Sequence, residues 1–408
     1  MTSGAEPVVA AHPLADRQFR WFFAGRTVSL TGSSMVWVAL TFAILEASGS
    51  AGDLGIVLAS YTVPLGLFQL FGGALADRFS RSAVLVGSHL GAALTQGAMA
   101  TLLLTGNYRL AAVASLAALN GALQAVSGPA LVGIVPELVA RPLIQRANAL
   151  LGGTRNAARI VGPALAGLLV AGAGGGWAIA ADAIAYLIAA LCMARLRLPA
   201  PVRAAGATML RDVREGWSLF RSMTWVWAGA VTLAALNFLQ AGVWGVLGPL
   251  LAEDTFGAAA WGLVVSASAF GFLVSSVVMY RVTFTHLLGI GHLCLALQAV
   301  PLVLLGLQVP VPVLVAGGFL SGAGTGVYGI AYETSIHEHV PRDALSRIAS
   351  IDALAALWPV PLGQLAVIPL AAAFGDAQIA VVWGVAYAAI ALAVLAVRPV
   401  RQLRHETG

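Results

Sequence analysis

Twelve long apolar runs follow one another along the chain, separated by short polar connections. They fall near residues 19–46, 53–77, 82–105, 109–135, 147–171 and 175–195. After a polar interval they resume near 224–251, 257–280, 285–307, 311–336, 346–374 and 377–397. Within each run the apolar residues neither alternate nor form a single helical stripe, so the pattern predicts helices that are apolar all round. A hydrocarbon layer about 30 Å thick takes about 20 such residues per crossing. The runs therefore predict an all-α membrane protein of about 12 transmembrane helices. Glycine and proline recur inside them, which lipid-embedded helices tolerate better than soluble ones.

Composition agrees with that reading. Of 408 residues, 59% are hydrophobic and 10% charged, with a mean hydropathy of +0.89; soluble domains carry about 25% charged residues. All 22 basic residues are arginines, as the chain contains no lysine. Most lie in connections: Arg17, Arg20, Arg78, Arg81, Arg141, Arg146, Arg195, Arg197, Arg203, Arg211, Arg214, Arg221, Arg281, Arg342, Arg347, Arg398, Arg401 and Arg404 share one side. The opposite side holds Arg109 with Glu46, Asp53, Glu253, Asp254 and Asp376. Such a bias orients a membrane protein and places both termini in the cytoplasm. It also removes the nucleic-acid reading of the net +5 charge, because the arginines are orientation signals. Cys192 and Cys294 lie far apart within apolar runs, which suggests neither a disulfide framework nor a metal site. The first run is too long for a cleavable signal and follows Arg17 and Arg20.

The interval 196–223 divides the chain into two six-helix bundles, 1–195 and 224–408. It opens as an extended linker at Leu198–Pro199–Ala200–Pro201. Leu210, Val213, Trp217 and Phe220 then recur at helical spacing against Arg211, Arg214 and Arg221, predicting an amphipathic helix on the cytoplasmic membrane surface. A repeat supports the division: Val139–Ala140–Arg141–Pro142–Leu143–Ile144–Gln145–Arg146 returns as Val340–Pro341–Arg342–Asp343–Ala344–Leu345–Ser346–Arg347. Each copy falls between the fourth and fifth helix of its half. Parallel repeats of this kind are a transporter plan, with substrate held between the halves.

Between the second and third helices lies Gly72–Gly73–Ala74–Leu75–Ala76–Asp77–Arg78–Phe79–Ser80–Arg81. With the repeat and the linker, Gly73, Asp77, Arg78 and Arg81 make the chain resemble the major facilitator superfamily over nearly its full length. The signature there is G-x-x-x-D-R-x-G-R-R; Ser80 replaces its turn glycine and Ser82 its second basic residue. Arg159–Ile160–Val161–Gly162–Pro163–Ala164–Leu165–Ala166–Gly167 is similar to the G-P-x-x-G element of the superfamily's exporters, with Arg159, Gly162, Pro163 and Gly167 as its marked positions. Gly162 and Gly167 equally suit a packing groove. Phe19–Arg20 with Gly25, the Arg141–Asn148 segment and Arg214–Glu215–Gly216–Trp217 resemble the branch of macrolide-efflux proteins and the enterobactin exporter.

The resemblance implies a major facilitator fold of two pseudo-symmetric bundles and a conformational gate at Gly73, Asp77, Arg78 and Arg81. Asp77 is then expected to meet the start of the eleventh helix near Ser346, whose unpaired amides suit a carboxylate; an interfacial anchor is the plain alternative. The half-chain counterpart around Tyr280–Arg281–Val282–Thr283 lacks the acid. The first, fourth, seventh and tenth helices are expected to line the cavity. Their midplane polar residues are Arg26, Ser29, Ser33 and Trp37; Asn120 and Gln124; Asn237, Gln240 and Trp244; and Tyr328, Tyr332 and Glu333. Amides and aromatics suit a bulky, partly apolar organic solute, while each residue alone equally suits a bond between helices. Arg155 and Arg159 share a face of the fifth helix, where Glu137 is placed to neutralise one of them.

If export is proton-driven, a buried carboxylate must load and release the proton; Asp182 and Glu333 are the coupling candidates, with structural roles as the alternative, and Asp352 lies low in the eleventh helix. His89 and His292 read as packed polar groups, and His337, Glu338 and His339 make a weak case for metal. No cofactor is implied. The chain carries no H-E-x-x-H, no G-x-S-x-G and no P-loop, which a lysine-free sequence cannot build. An enzyme is therefore not expected, and energy must come from an ion gradient or the solute's own. The expected function is secondary active export of small organic molecules (drug, siderophore or secondary metabolite) by a monomer in the cytoplasmic membrane, using protons. An importer or uniporter of a metabolite, or a non-transporting sensor or scaffold of the same fold, stays open.

Overall fold

The computed structural model describes residues 12–76, 80–140, 143–197, 217–282, 284–341 and 345–404. The helices begin and end close to the apolar runs: α1 Arg17–Ser48, α2 Ala51–Ala76, α3 Arg81–Leu104, α4 Leu110–Gly133, α5 Ile144–Ala173 and α6 Gly175–Met193. They continue as α7 Thr224–Thr255, α8 Gly257–Met279, α9 Leu287–Gly306, α10 Val311–His339, α11 (Leu345–Leu357 followed by Pro359–Phe374) and α12 Asp376–Ala396. Among the described residues there is no strand. Among the described residues, eleven helices are long and apolar enough to cross a membrane. α3, also 24 residues long, is more polar, with Ser82, Ser88, His89, Thr95 and Gln96 along it.

Short connections force successive helices to run antiparallel. Gly49 closes α1 in the left-handed conformation and donates its N–H to Leu45 O at 2.8 Å, a helix end that suits a residue without Cβ. Gly174, at φ 90°, turns α5 directly into α6, and the Gly175 N–H that follows donates to the Glu46 carboxylate at 3.1 Å. The acids at these connections define an acidic end of the bundle. The opposite end carries Arg81, Arg146, Arg195 and Arg281 and is arginine-rich.

Three helices are interrupted. α7 contains a five-residue π-helical stretch, Val243–Leu247. α9 narrows to a 3-10 turn at Ala296–Gln298. α11 breaks at Trp358, just before Pro359, whose ring cannot follow an uninterrupted helix. In the 196–223 interval, residues 217–222 form a short helix on which Trp217 stacks on Phe220 at 5.6 Å; the Leu210 and Val213 positions lie outside the described residues.

Packing differs between the two ends. Toward the acidic end one apolar core draws on all twelve helices, including Val38 and Ile44 of α1, Leu58 of α2, Val246 of α7, Val264 of α8 and Trp383 of α12. Toward the arginine-rich end there are two separate cores. One joins Phe19, Phe22, Leu85, Leu143 and Met193 of the first six helices. The other joins Phe220, Trp225, Leu288, Val340 and Val400 of the rest. Among the described residues, the two sets of six helices therefore share one core toward the acidic end and keep separate cores toward the arginine-rich end.

Candidate functional site: a central cavity sealed at one end

A cavity of about 740 Å³ lies between the two sets. Its walls come from α1, α5, α7, α8, α9 and α10. Of the expected cavity residues, Arg26, Ser33, Trp37, Gln240 and Trp244 line it, together with Arg159 and Pro163 of the fifth-helix element. Trp244 belongs to the π stretch of α7, a local irregularity common at functional sites because it turns side chains off the regular helical register. Trp244 packs on Trp261 of α8 with ring centroids 4.9 Å apart, and Trp37 meets Tyr61 edge-on at 5.5 Å.

The other expected cavity residues stand behind this wall. Asn120 is buried and donates to Thr95 Oγ at 3.2 Å, and Gln124 donates to the Tyr186 hydroxyl. That hydroxyl also bonds Ser33 Oγ at 2.8 Å and thereby ties α1, α4 and α6 together. Asn237 donates to the Ala356 carbonyl at 2.8 Å, joining α7 to α11 beside the Trp358 break. Tyr328 and Tyr332 stack at 5.6 Å, and Tyr332 donates to Asp352 at 2.8 Å. Polar residues with a free face at the cavity and those spent on interhelical bonds thus come from the same helices, and spacing alone does not separate them.

Several lining residues went unassigned to the cavity in the sequence reading: Arg155, Asn156, Trp261, Phe272, Gln298 and Thr325. Gln298 offered a signal, as the amide of a ninth helix whose other polar side chain is His292. Its Oε1 accepts from Tyr387 at 2.7 Å and from Thr325 at 3.1 Å. Glu137 does not neutralise Arg155 or Arg159. It sits on the short helix Val135–Leu138 after α4 and pairs with Arg81 at the start of α3, its nearer basic neighbour.

Two seams seal the acidic end. α5 crosses α8 so closely that a Cβ on Gly167 would lie 2.6 Å from Ala258 O, and a Cβ on Gly262 would overlap Pro163 O. α2 crosses α11, where a Cβ on Gly55 would lie 2.9 Å from Gln364 O. A Cβ on Gly162 would overlap the Ser34 side chain of α1. The Gly162–Pro163–Gly167 element therefore packs on one side against α1 and on the other across the seam to α8.

Asp182 of α6 is fully buried. Its Oδ2 accepts from Gln96 of α3 at 2.8 Å, its Oδ1 has no partner, and Gly32 of α1 abuts it. Glu333 is exposed. Both buried histidines hold a backbone carbonyl one turn back through Nδ1, His89 to Leu85 and His292 to Leu288. Gly73 lies within α2, while Asp77 and Arg78 lie outside the described residues. Among the described residues no group of three His, Cys, Asp or Glu side chains could hold a metal ion.

Comparison with known proteins gives the same architecture a family. Residues 22–358 match the sequence profile of the Major Facilitator Superfamily. The multidrug efflux pump Tap of Mycolicibacterium fortuitum is 28% identical over 377 residues, covering 86% of this chain and 88% of that protein. Macrolide efflux protein A of Streptococcus pyogenes is 24% identical over 242 residues, 59% of this chain and 60% of that protein. Among solved structures, the nucleoside transporter NupG superposes with a TM-score of 0.75 at 12% identity, over 93% of this chain and 98% of that one. A bacterial homologue of the iron transporter ferroportin in an inward-facing state superposes with a TM-score of 0.70 at 15% identity, over 93% and 98% of the two chains. The chain belongs to the Major Facilitator Superfamily and is a multi-pass membrane transporter, not an enzyme.

Proposed function

We propose that the protein exports small organic molecules, of the drug, siderophore or secondary-metabolite kind, from the cytoplasm by alternating access in exchange for protons. It works as a monomer in the cytoplasmic membrane with both termini inside. The observation that carries this reading is the cavity: walled by both sets of six helices, sealed at the acidic end, and extending from the seams toward the arginine-rich end, where Arg26, Arg155 and Phe272 line it. With the arginines on the cytoplasmic side, this is a state that loads solute from the cytoplasm. Export then requires the α5–α8 and α2–α11 seams to part while the arginine-rich ends close. Bundles 1–195 and 224–408, tethered by 196–223, rock as the two moving bodies. The similarity to efflux proteins supports the outward direction.

Gly73, Asp77, Arg78 and Arg81 form the gate on the cytoplasmic side, and the Arg81–Glu137 pair anchors its last member to the end of α4. Asp182 is the first candidate for the proton site, because a buried carboxylate with one hydrogen bond and an unpartnered oxygen is expensive to keep charged; Glu333 is the second. A deletion strain and its complemented partner, run against a panel of antibiotics and dyes, test the reading. Export requires higher intracellular accumulation and greater susceptibility in the deletion strain for at least one compound. Equal accumulation of every compound in the two strains would favour a non-transporting role.

A further inference from the structure

The charge of the cavity wall is one-sided. Arg26 of α1 and Arg155 and Arg159 of α5 all line the same space. Arg155 stands near enough to both of the others for like-charge repulsion to be felt. Among the described residues the lining contains no aspartate or glutamate, and the salt bridge present joins Arg81 and Glu137 elsewhere. A guanidinium does not shed its proton in a protein, so repulsion here cannot be relieved by neutralisation. Arg155 and Arg159 are exposed to the cavity and Arg26 is half-buried, so with no carboxylate partner among the described residues the three guanidinium groups make this space attractive to an anion.

The neutral polar lining points the same way. Gln298 has both of its described bonds accepted at Oε1, so what it has left to offer is the Nε2 donor. Trp244 brings an indole N–H, which donates only. Trp37, Trp244, Trp261 and Phe272 line the same space and supply an aromatic surface. The guanidinium fork matches a planar oxyanion, and the aromatic surface matches a flat apolar body.

We propose that the central cavity selects aromatic organic anions, with Arg26, Arg155 and Arg159 holding an oxyanion group and the tryptophan wall holding the ring. This deepens the export reading and rests on the cavity being the solute site. It goes beyond the sequence expectation, which counted Arg26 among the cavity residues but drew the solute's character from amides and aromatics.

Three probes that share a naphthalene body isolate the charge: 2-naphthoate, 2-naphthamide and 2-naphthyltrimethylammonium. Binding to the full-length protein in detergent is followed by probe fluorescence. The anion is expected to bind roughly 10- to 100-fold more tightly than the amide, the range of one charge-assisted hydrogen bond, and the cation more weakly still. Arg155→Gln should remove most of that preference, whereas Arg155→Lys, which keeps charge without the fork, should keep part of it. Thermal melts identify the folded variants. Arg159→Gln, at an exposed position, provides an independent second variant. Equal or tighter binding of the amide or the cation would overturn the proposal. So would no detectable binding of the naphthoate, or a preference unchanged in folded Arg155→Gln and Arg159→Gln proteins. Because binding is read without transport, failure of vesicles to accumulate the naphthoate would count against export and not against anion selection.

Discussion

Gly167→Ala tests whether the α5–α8 seam opens during the cycle. In the state described, the added Cβ would lie 2.6 Å from Ala258 O, 3.0 Å from Ala259 Cα and 3.2 Å from Ala258 C. All three are backbone atoms, so no side chain can rotate away and the helices must separate. Overpacking of this kind costs about 1–3 kcal/mol. Alanine also favours the helix over glycine by about 1 kcal/mol, but that gain applies equally whether the seam is closed or parted, and it cancels between the two states. The clash does not cancel, so the closed-seam state loses about 5- to 150-fold in relative population, at about 1.4 kcal/mol per tenfold. The assay is a spin-label distance distribution between Ala173→Cys at the end of α5 and Asp254→Cys at the end of α7, with Cys192 and Cys294 replaced by alanine. Gly167→Ala should move population toward the longer distance. A distribution identical to the parent's, in a protein that melts normally, would show that the seam does not part and would remove alternating access at this crossing.

Other residues yield independent outcomes. Asp182→Asn keeps a side chain of the same shape beside Gln96 but has no proton to release. It should abolish pH-gradient-driven accumulation in vesicles while leaving solute counterflow intact, and an unchanged response to the gradient would move coupling elsewhere. Tyr186→Phe deletes the hydroxyl shared by half-buried Ser33 and Gln124; Ser33 keeps its bond to the Ser29 carbonyl, so the loss should lower unfolding free energy by about 0.5–1.5 kcal/mol, read as earlier loss of monodispersity on heating. Reversing the exposed Arg81–Glu137 pair, as Arg81→Glu with Glu137→Arg, should restore transport lost in Arg81→Glu alone if the pairing matters more than the sign of each position; two equally impaired proteins would assign Arg81 to the gate signature instead.

Helix positions were legible in the sequence because lipid-spanning segments declare themselves by length and by the glycines and prolines that end them. Gly49, Gly174 and Gly375 each close a helix where the apolar run stops. The breaks within α7 and α9 left a fainter mark: Val243–Leu247 reads as one more apolar stretch, yet it is π-helical, and only Pro249 and Pro301, each denying a bond to the carbonyl four residues back, point to the two irregular stretches. Placement around the cavity was legible only in part. Trp37 and Trp244 reach it, whereas Asn120 and Gln124 are spent on α3 and α6, because an amide in an apolar layer takes whichever partner its rotamer reaches. Arg155 and Arg159 stood out as a pair, but that α5 forms part of the wall depends on how it crosses α1 and α8, through Gly162 and Gly167. Those crossings are tertiary, and periodicity along one helix carries no record of them.

Export is tested most directly by solute accumulation in everted membrane vesicles, whose cytoplasmic face is outward, with labelled erythromycin and 2-naphthoate as probes. An exporter that exchanges solute for protons should concentrate at least one probe in the lumen when the lumen is acidified and lose it when a protonophore collapses the gradient. Accumulation in right-side-out vesicles alone, or none in vesicles of either orientation, would contradict it.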